Sequence, residues 1–144
     1  MSRTFVLFLL LVAWLLPACN STSTLAPTEE VVGQQVSVAG GFYTDVGVAE
    51  LQTMLVNKDF TFVNVHIPFE GDIANTDLSI AYNEIEQNLE KLPAEKDAKI
   101  VLYCRSDRMS RIAAETLVDL GFTNVWNLDG GMAAWEQAGL PLKK

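Results

Sequence analysis

Ile100-Val101-Leu102-Tyr103 runs straight into a polar turn, Cys104-Arg105-Ser106-Asp107-Arg108, and from Ser110 the residues Ile112, Ala113, Thr116, Leu117 and Leu120 recur at helical spacing. Four consecutive apolar residues suit a strand buried on both faces, and a helix that follows at once has to pack back onto the sheet. This stretch commits the chain to an α/β arrangement.

The alternation repeats along the sequence. Val36 to Val38 and Tyr43 to Val46 read as extended pieces separated by Gly40-Gly41, and Thr44 or Asp45 is placed to cap the next helix. Val48, Leu51, Met54 and Leu55 then share one helical face, with Met54 a core residue. Phe60 to His66 is rich in β-formers, and Leu78 to Tyr82 reads as a third short strand. Ile85, Leu89 and Leu92 form a helical stripe that Pro93 stops, with Asn83 and Glu86 as a capping pair. Gly121 is positioned to end the helix after the cysteine, Val125 to Leu128 is the last strand, and Asp129-Gly130-Gly131 opens a final helix with Met132, Ala133 and Trp135 inward. The pattern predicts a three-layer domain: a mostly parallel central sheet of about five strands with helices on both faces. In such sheets ligands bind beyond the carboxyl ends of the strands, where Cys104 and His66 both fall.

The position of Cys104 has a chemical consequence. The first N–H groups of a helix lack intrahelical partners and carry partial positive charge, and Arg105 and Arg108 lie close by. Such a setting favours the thiolate, which is the nucleophilic form, so Cys104 is the candidate nucleophile. The competing reading is a small core cysteine at a strand end, against which stands the polar character of the residues that follow.

With 144 residues, 49% of them hydrophobic, the chain holds one ordinary domain with a real core. A formal charge of −8 argues against nucleic acid as an electrostatic partner. One histidine and two cysteines do not make a typical zinc site, and no phosphate loop or dinucleotide fingerprint occurs, so no metal or cofactor is expected.

The first residues have the layout of a secretory signal: a basic start at Arg3, an apolar run from Phe5 to Leu16, then Leu16-Pro17-Ala18-Cys19. That ending resembles a bacterial lipobox. The resemblance implies a lipoprotein signal peptide over residues 1–18 and lipid on Cys19, holding the protein at the extracytoplasmic side of a membrane. The alternative for Cys19 is a disulfide with Cys104, which would silence the thiol. Residues 19–35 are polar and without strong period, as in a flexible tether, leaving 36–144 as the folded domain.

From about Tyr43 to Leu142 the chain resembles a single-domain rhodanese, a family of α/β sulfurtransferases. The resemblance is carried by Tyr103-Cys104-Arg105-Ser106, by the helix from Ser110 to Leu120, and by Gly121-Phe122-Thr123-Asn124-Val125-Trp126-Asn127-Leu128-Asp129-Gly130-Gly131-Met132-Ala133-Ala134-Trp135, with Ala138-Gly139-Leu140-Pro141 following. It implies that Cys104 takes a sulfane sulfur from thiosulfate or a persulfide as its own persulfide and passes it to a thiol or cyanide. The loop Arg105, Ser106, Asp107, Arg108, Met109 and Ser110 would bind the substrate: its backbone N–H groups would stabilise the persulfide anion, and Arg105 and Arg108 would steer an anionic donor.

Several positions depart from the family pattern. Asn64-Val65-His66 stands where Asp-Val-Arg is usual, and Gly71-Asp72-Ile73 where Gly-His-Ile is usual. His66 is either a substrate-side donor or a residue that caps a strand end by local hydrogen bonds. Asp107 replaces a loop glycine and Met109 an arginine. Asp107 can adopt the glycine's backbone conformation, and its carboxylate either opposes the thiolate, or points outward or caps the helix from Met109. Two rivals to sulfur transfer remain. A related phosphatase or arsenate reductase loop would need an arginine where this chain has Ser110, while Arg111 comes one residue too late. A non-catalytic, lipid-anchored module for partner binding or sulfide sensing would share the fold without the chemistry.

Overall fold

In the computed structural model the chain is described over residues 31–144; the expected signal peptide, Cys19 and most of the tether lie outside these residues. Within them the strands are β1 (Gln34–Val38), β2 (Gly41–Val46), β3 (Thr61–Asn64), β4 (Leu78–Ser79), β5 (Ile100–Tyr103) and β6 (Val125–Leu128). The helices are α1 (Val48–Val56), α2 (Arg108–Asp119) and α3 (Gly131–Gln137). The strands form one six-stranded sheet in the order β1-β2-β6-β5-β3-β4. All neighbours are parallel except the hairpin β1-β2. The sheet has one strand more than the five expected, because Gln34 to Val38 folds back on β2 through the Gly40-Gly41 break and a two-residue β4 closes the opposite edge.

Alternation along β5 divides the core. Ile100 and Leu102 face one layer with Cys104 just beyond them, and Val101 and Tyr103 face the other. The first layer is closed by α2 through Ala113, Ala114, Leu117 and Val118, together with Ile85 and Leu92. The second is closed by α1 and α3 through Leu51, Met132 and Trp135. All four β5 residues are wholly buried, and each such side chain contributes roughly 1.5–3 kcal/mol. The strand that leads to the cysteine is therefore the best anchored in the sheet.

Three local expectations are corrected. The N-cap of α1 is Gly47, whose N–H donates to the Glu50 carboxylate at 2.6 Å, whereas Thr44 and Asp45 belong to β2. The third strand stops at Ser79 and does not reach Tyr82. The Ile85-Leu89-Leu92 stripe lies not on an α-helix but on two 3-10 segments, Tyr82–Glu84 and Glu86–Lys91. The Asn88 side chain occupies the Glu84 carbonyl, the acceptor an α-helical Asn88 N–H would use, and that N–H turns to Ile85 O. Gly121 ends α2 as expected, in the left-handed region at φ +86°: its N–H donates to Val118 O and that of Phe122 to Leu117 O.

Candidate active site

Cys104 follows β5 directly, and the turn from Arg105 to Asp107 leads into α2. The side chain is 2% exposed, with Val65 and Ala113 in the same apolar layer, while Ser106 and Arg108 stand in solvent. Burial of the thiol and polarity of the loop thus coexist, which the sequence set against each other. Ser110, on the first turn of α2 and fully buried, donates its hydroxyl to Cys104 Sγ at 3.3 Å and to Asp107 O at 3.0 Å, one proton serving two acceptors. The N–H groups of Arg105 to Ser110 take part in none of the hydrogen bonds formed among the described residues; the first helical N–H to find a partner is that of Arg111, on Asp107 O.

The turn is held from a second side. Met132 and Ala133 N–H donate to Cys104 O and Arg105 O at 2.9 and 3.0 Å, so the start of α3 abuts the backbone around the cysteine. This approach demands glycine at 131: a Cβ there would lie 2.3 Å from Cys104 O, and the residue sits at φ +54°.

Asp107 is at φ +81°, ψ −45°, a region L-residues rarely occupy, as its replacement of a loop glycine led one to expect. Its carboxylate neither points outward nor caps α2. Instead, Asp107 Oδ1 accepts the Gly130 N–H at 2.8 Å, joining the loop to the turn before α3. Arg111 lies behind the loop, its Nη2 3.0 Å from Asp129 and 3.5 Å from Asp45. Burial raises the Asp45 carboxyl above the usual carboxylate range, and the Asn127 hydrogen bond and Arg111 oppose that shift.

Arg105 is shared by two acids, its Nη1 2.6 Å from Glu136 and its Nε 3.5 Å from Glu70. Arg108 forms no ion pair among the described residues, and Met109 is half-buried against the first layer. The His66 side chain is 9% exposed; Nε2 lies 3.4 Å from Glu70, yet neither ring nitrogen makes a hydrogen bond. The strand end is capped differently: Asn64 Oδ1 accepts the His66 N–H at 3.0 Å, while Asn64 Nδ2 donates to Gly71 O and to Asp72 Oδ1. Glu70 and Glu136 were not singled out in the sequence, where the only available signal was an acidic residue beside a loop whose partner elements were unknown. Among the described residues no group of three or more His, Cys, Asp or Glu is placed to hold a metal ion.

A mostly parallel sheet with a free thiol at the strand-to-helix turn of its best buried strand defines the class of protein to which this chain can be compared. The model of the rhodanese-like domain matches residues 58–138, and the chain belongs to that family. It is 29% identical to thiosulfate sulfurtransferase GlpE of Vibrio cholerae over 70% of this chain and 95% of the relative. It is 33% identical to a sulfurtransferase of Allochromatium vinosum over 63% of this chain and 85% of the relative. Among solved structures, a rhodanese-related protein from Thermoplasma volcanium superposes with a TM-score of 0.59 at 31% identity, covering 69% of this chain and 97% of the other.

Proposed function

We propose that the protein is a sulfurtransferase in which Cys104 carries the sulfur. The observation that carries this reading is the contact between Ser110 Oγ and Cys104 Sγ at the head of α2, beside a run of N–H groups without partners among the described residues. A thiolate, and after transfer a persulfide anion, gains from such donors, since they meet the charge without reorganising. Sulfurtransferase relatives support the same reading.

In the first half-reaction the Cys104 thiolate attacks the outer sulfur of the donor, and the donor's S–S bond breaks with its electron pair on the leaving group. That group is sulfite from thiosulfate or a thiolate from a persulfide. In the second, an acceptor thiol or cyanide attacks the bound sulfur and Cys104 leaves as thiolate. Phosphoryl or arsenate chemistry finds no support: Ser110 occupies the place of the oxyanion arginine, and Arg111 is engaged by Asp45 and Asp129.

Intact-mass analysis of the full chain, before and after exposure to thiosulfate or glutathione persulfide, tests the reading. A gain of one sulfur, absent in Cys104→Ser and discharged by cyanide or a thiol, is the expected result. Folded protein with reduced Cys104 that gains nothing from either donor would instead mark a non-catalytic binding module.

The proposal extends to the leader: the Leu16-Pro17-Ala18-Cys19 ending supports lipid on Cys19 and an extracytoplasmic, membrane-held domain. The mass of the amino-terminal peptide from native protein, compared with Cys19→Ala, decides this; an unmodified Cys19 would overturn it.

A further inference from the structure

The guanidinium of Arg105, the residue that follows the thiol in the chain, is already spoken for. Arg105 meets Glu136 through Nη1 and Glu70 through Nε, so two carboxylates face one cation, and all three side chains are 42–44% exposed at the rim. Asp107 adds a further carboxylate to the loop, and Arg111 is matched by Asp45 and Asp129 on the other side. Against this excess of acids stands Arg108, the exposed loop cation without an ion pair among the described residues. The chain as a whole adds its net charge of −8. An anionic donor such as thiosulfate approaches against this field, while a donor bearing an ammonium group near its sulfur meets Glu70 and Glu136. The thiol is 2% exposed, so a donor must also shed water as it delivers its sulfur, which costs most for a compact dianion.

We infer that Glu70 and Glu136, by occupying Arg105, make the rim a charge filter that selects an aminothiol persulfide over thiosulfate as sulfur donor. The inference rests on the sulfur-transfer reading above. The step balances without an added oxidant: Cys104–S⁻ attacks the outer sulfur of R–S–SH, the new bond joins Sγ to that sulfur, and R–S⁻ leaves. The transferred proton then passes to R–S⁻, giving the Cys104 persulfide anion and the free aminothiol. Because the rim is solvated its ion pairs are screened, so the selection is graded rather than absolute.

The test compares loading rates of Cys104 by intact mass in the full chain, with thiosulfate and with cysteamine persulfide, at low and high salt. Three proteins are compared: wild type, the double variant Glu70→Gln with Glu136→Gln, and Cys104→Ser as the blank. Wild type is expected to load from cysteamine persulfide at least about tenfold faster than from thiosulfate at low salt, and added salt should speed the thiosulfate reaction by screening repulsion. The double variant should gain about tenfold with thiosulfate and lose preference for the aminothiol. The salt series in wild type needs no substitution, so a thiosulfate rate that fails to rise with salt overturns the filter even if the variant folds poorly. Faster loading of wild type from thiosulfate, or a thiosulfate rate that falls with salt, overturns the filter while leaving sulfur transfer standing. Loading from neither donor overturns sulfur transfer itself, and the filter with it.

Discussion

Asp107 Oδ1 accepts the Gly130 N–H at 2.8 Å, and this bond joins the turn after β5 to the turn before α3. The residue that substitutes for a loop glycine thereby supplies an anchor a glycine could not. Replacing it sets two effects against each other. Relief of the unfavourable backbone at φ +81° is worth about 1–2 kcal/mol, and loss of a charge-assisted hydrogen bond costs about 1.5–3 kcal/mol. Asp107→Gly is therefore expected to lower unfolding stability by about 1 kcal/mol in urea titrations, whereas Asp107→Asn, which keeps an acceptor oxygen, stays within about 0.5 kcal/mol. A Gly variant more stable than wild type would show that the strain dominates.

Removing the hydroxyl beside the thiol isolates its contribution to chemistry. Ser110→Ala should load sulfur about fivefold more slowly, the equivalent of roughly 1 kcal/mol for one hydrogen bond, with an unchanged near-ultraviolet spectrum. An unaltered rate in stopped-flow or intact-mass assays would assign Ser110 to the loop backbone alone, through its bond to Asp107 O.

Glycine at 131 is required by space and glycine at 139 by conformation only. Gly131→Ala would press a methyl against Cys104 O, and is expected to cost at least about 3 kcal/mol and to depress sulfur loading, because the Met132 and Ala133 bonds to the loop cannot survive the shift. Gly139→Ala, at φ +79° with nothing within 4 Å of the added carbon, should cost about 1 kcal/mol and leave activity alone. Thermal unfolding of the pair checks the contrast.

Tyr103 gives a pH dependence with a definite sign. Burial pushes its phenol well above the ordinary tyrosine range, against the opposing hydrogen bonds with Thr76 and from the Ile73 N–H. The folded state thus keeps a proton that the unfolded chain gives up near pH 10, so this stabilisation is present below that pH and is lost as pH rises above it. Tyr103→Phe should flatten the alkaline fall in unfolding free energy by about one proton, roughly 1.4 kcal/mol per pH unit. Tyr43, whose phenol burial also raises, continues to contribute in the variant. At neutral pH the same substitution leaves Ile73 N–H without its partner and costs about 1–3 kcal/mol. Identical alkaline slopes would contradict the assignment.

What the sequence disclosed follows the range of the forces involved. The strand, turn and helix around Cys104 and the glycines before α3 announce themselves through local periodicity and backbone demands, and the structure contains them. The segment after Leu78 misleads because its apolar spacing is helical while a single amide, on Asn88, diverts the hydrogen bonding. At the site, the exchange between strands could not be seen. Asn64 and Asp72 each depart from the family pattern, yet together they restore a donor and an acceptor: the Asn64 amide gives to the Asp72 carboxylate at 2.9 Å, with the Tyr103 hydroxyl donating to the same oxygen. Likewise, the clamp on Arg105 unites β3's following loop, β5's following loop and α3, a meeting that only the sheet order β6-β5-β3 brings about.

The bonds from Met132 and Ala133 to the carbonyls of Cys104 and Arg105 also impose an order in time. The ribosome makes the cysteine well before it makes the residues that fasten its loop. A nascent, unfolded or clipped chain carries the thiol without the fastening. The last helix thus closes the loop around Cys104 only once it has been made and packed.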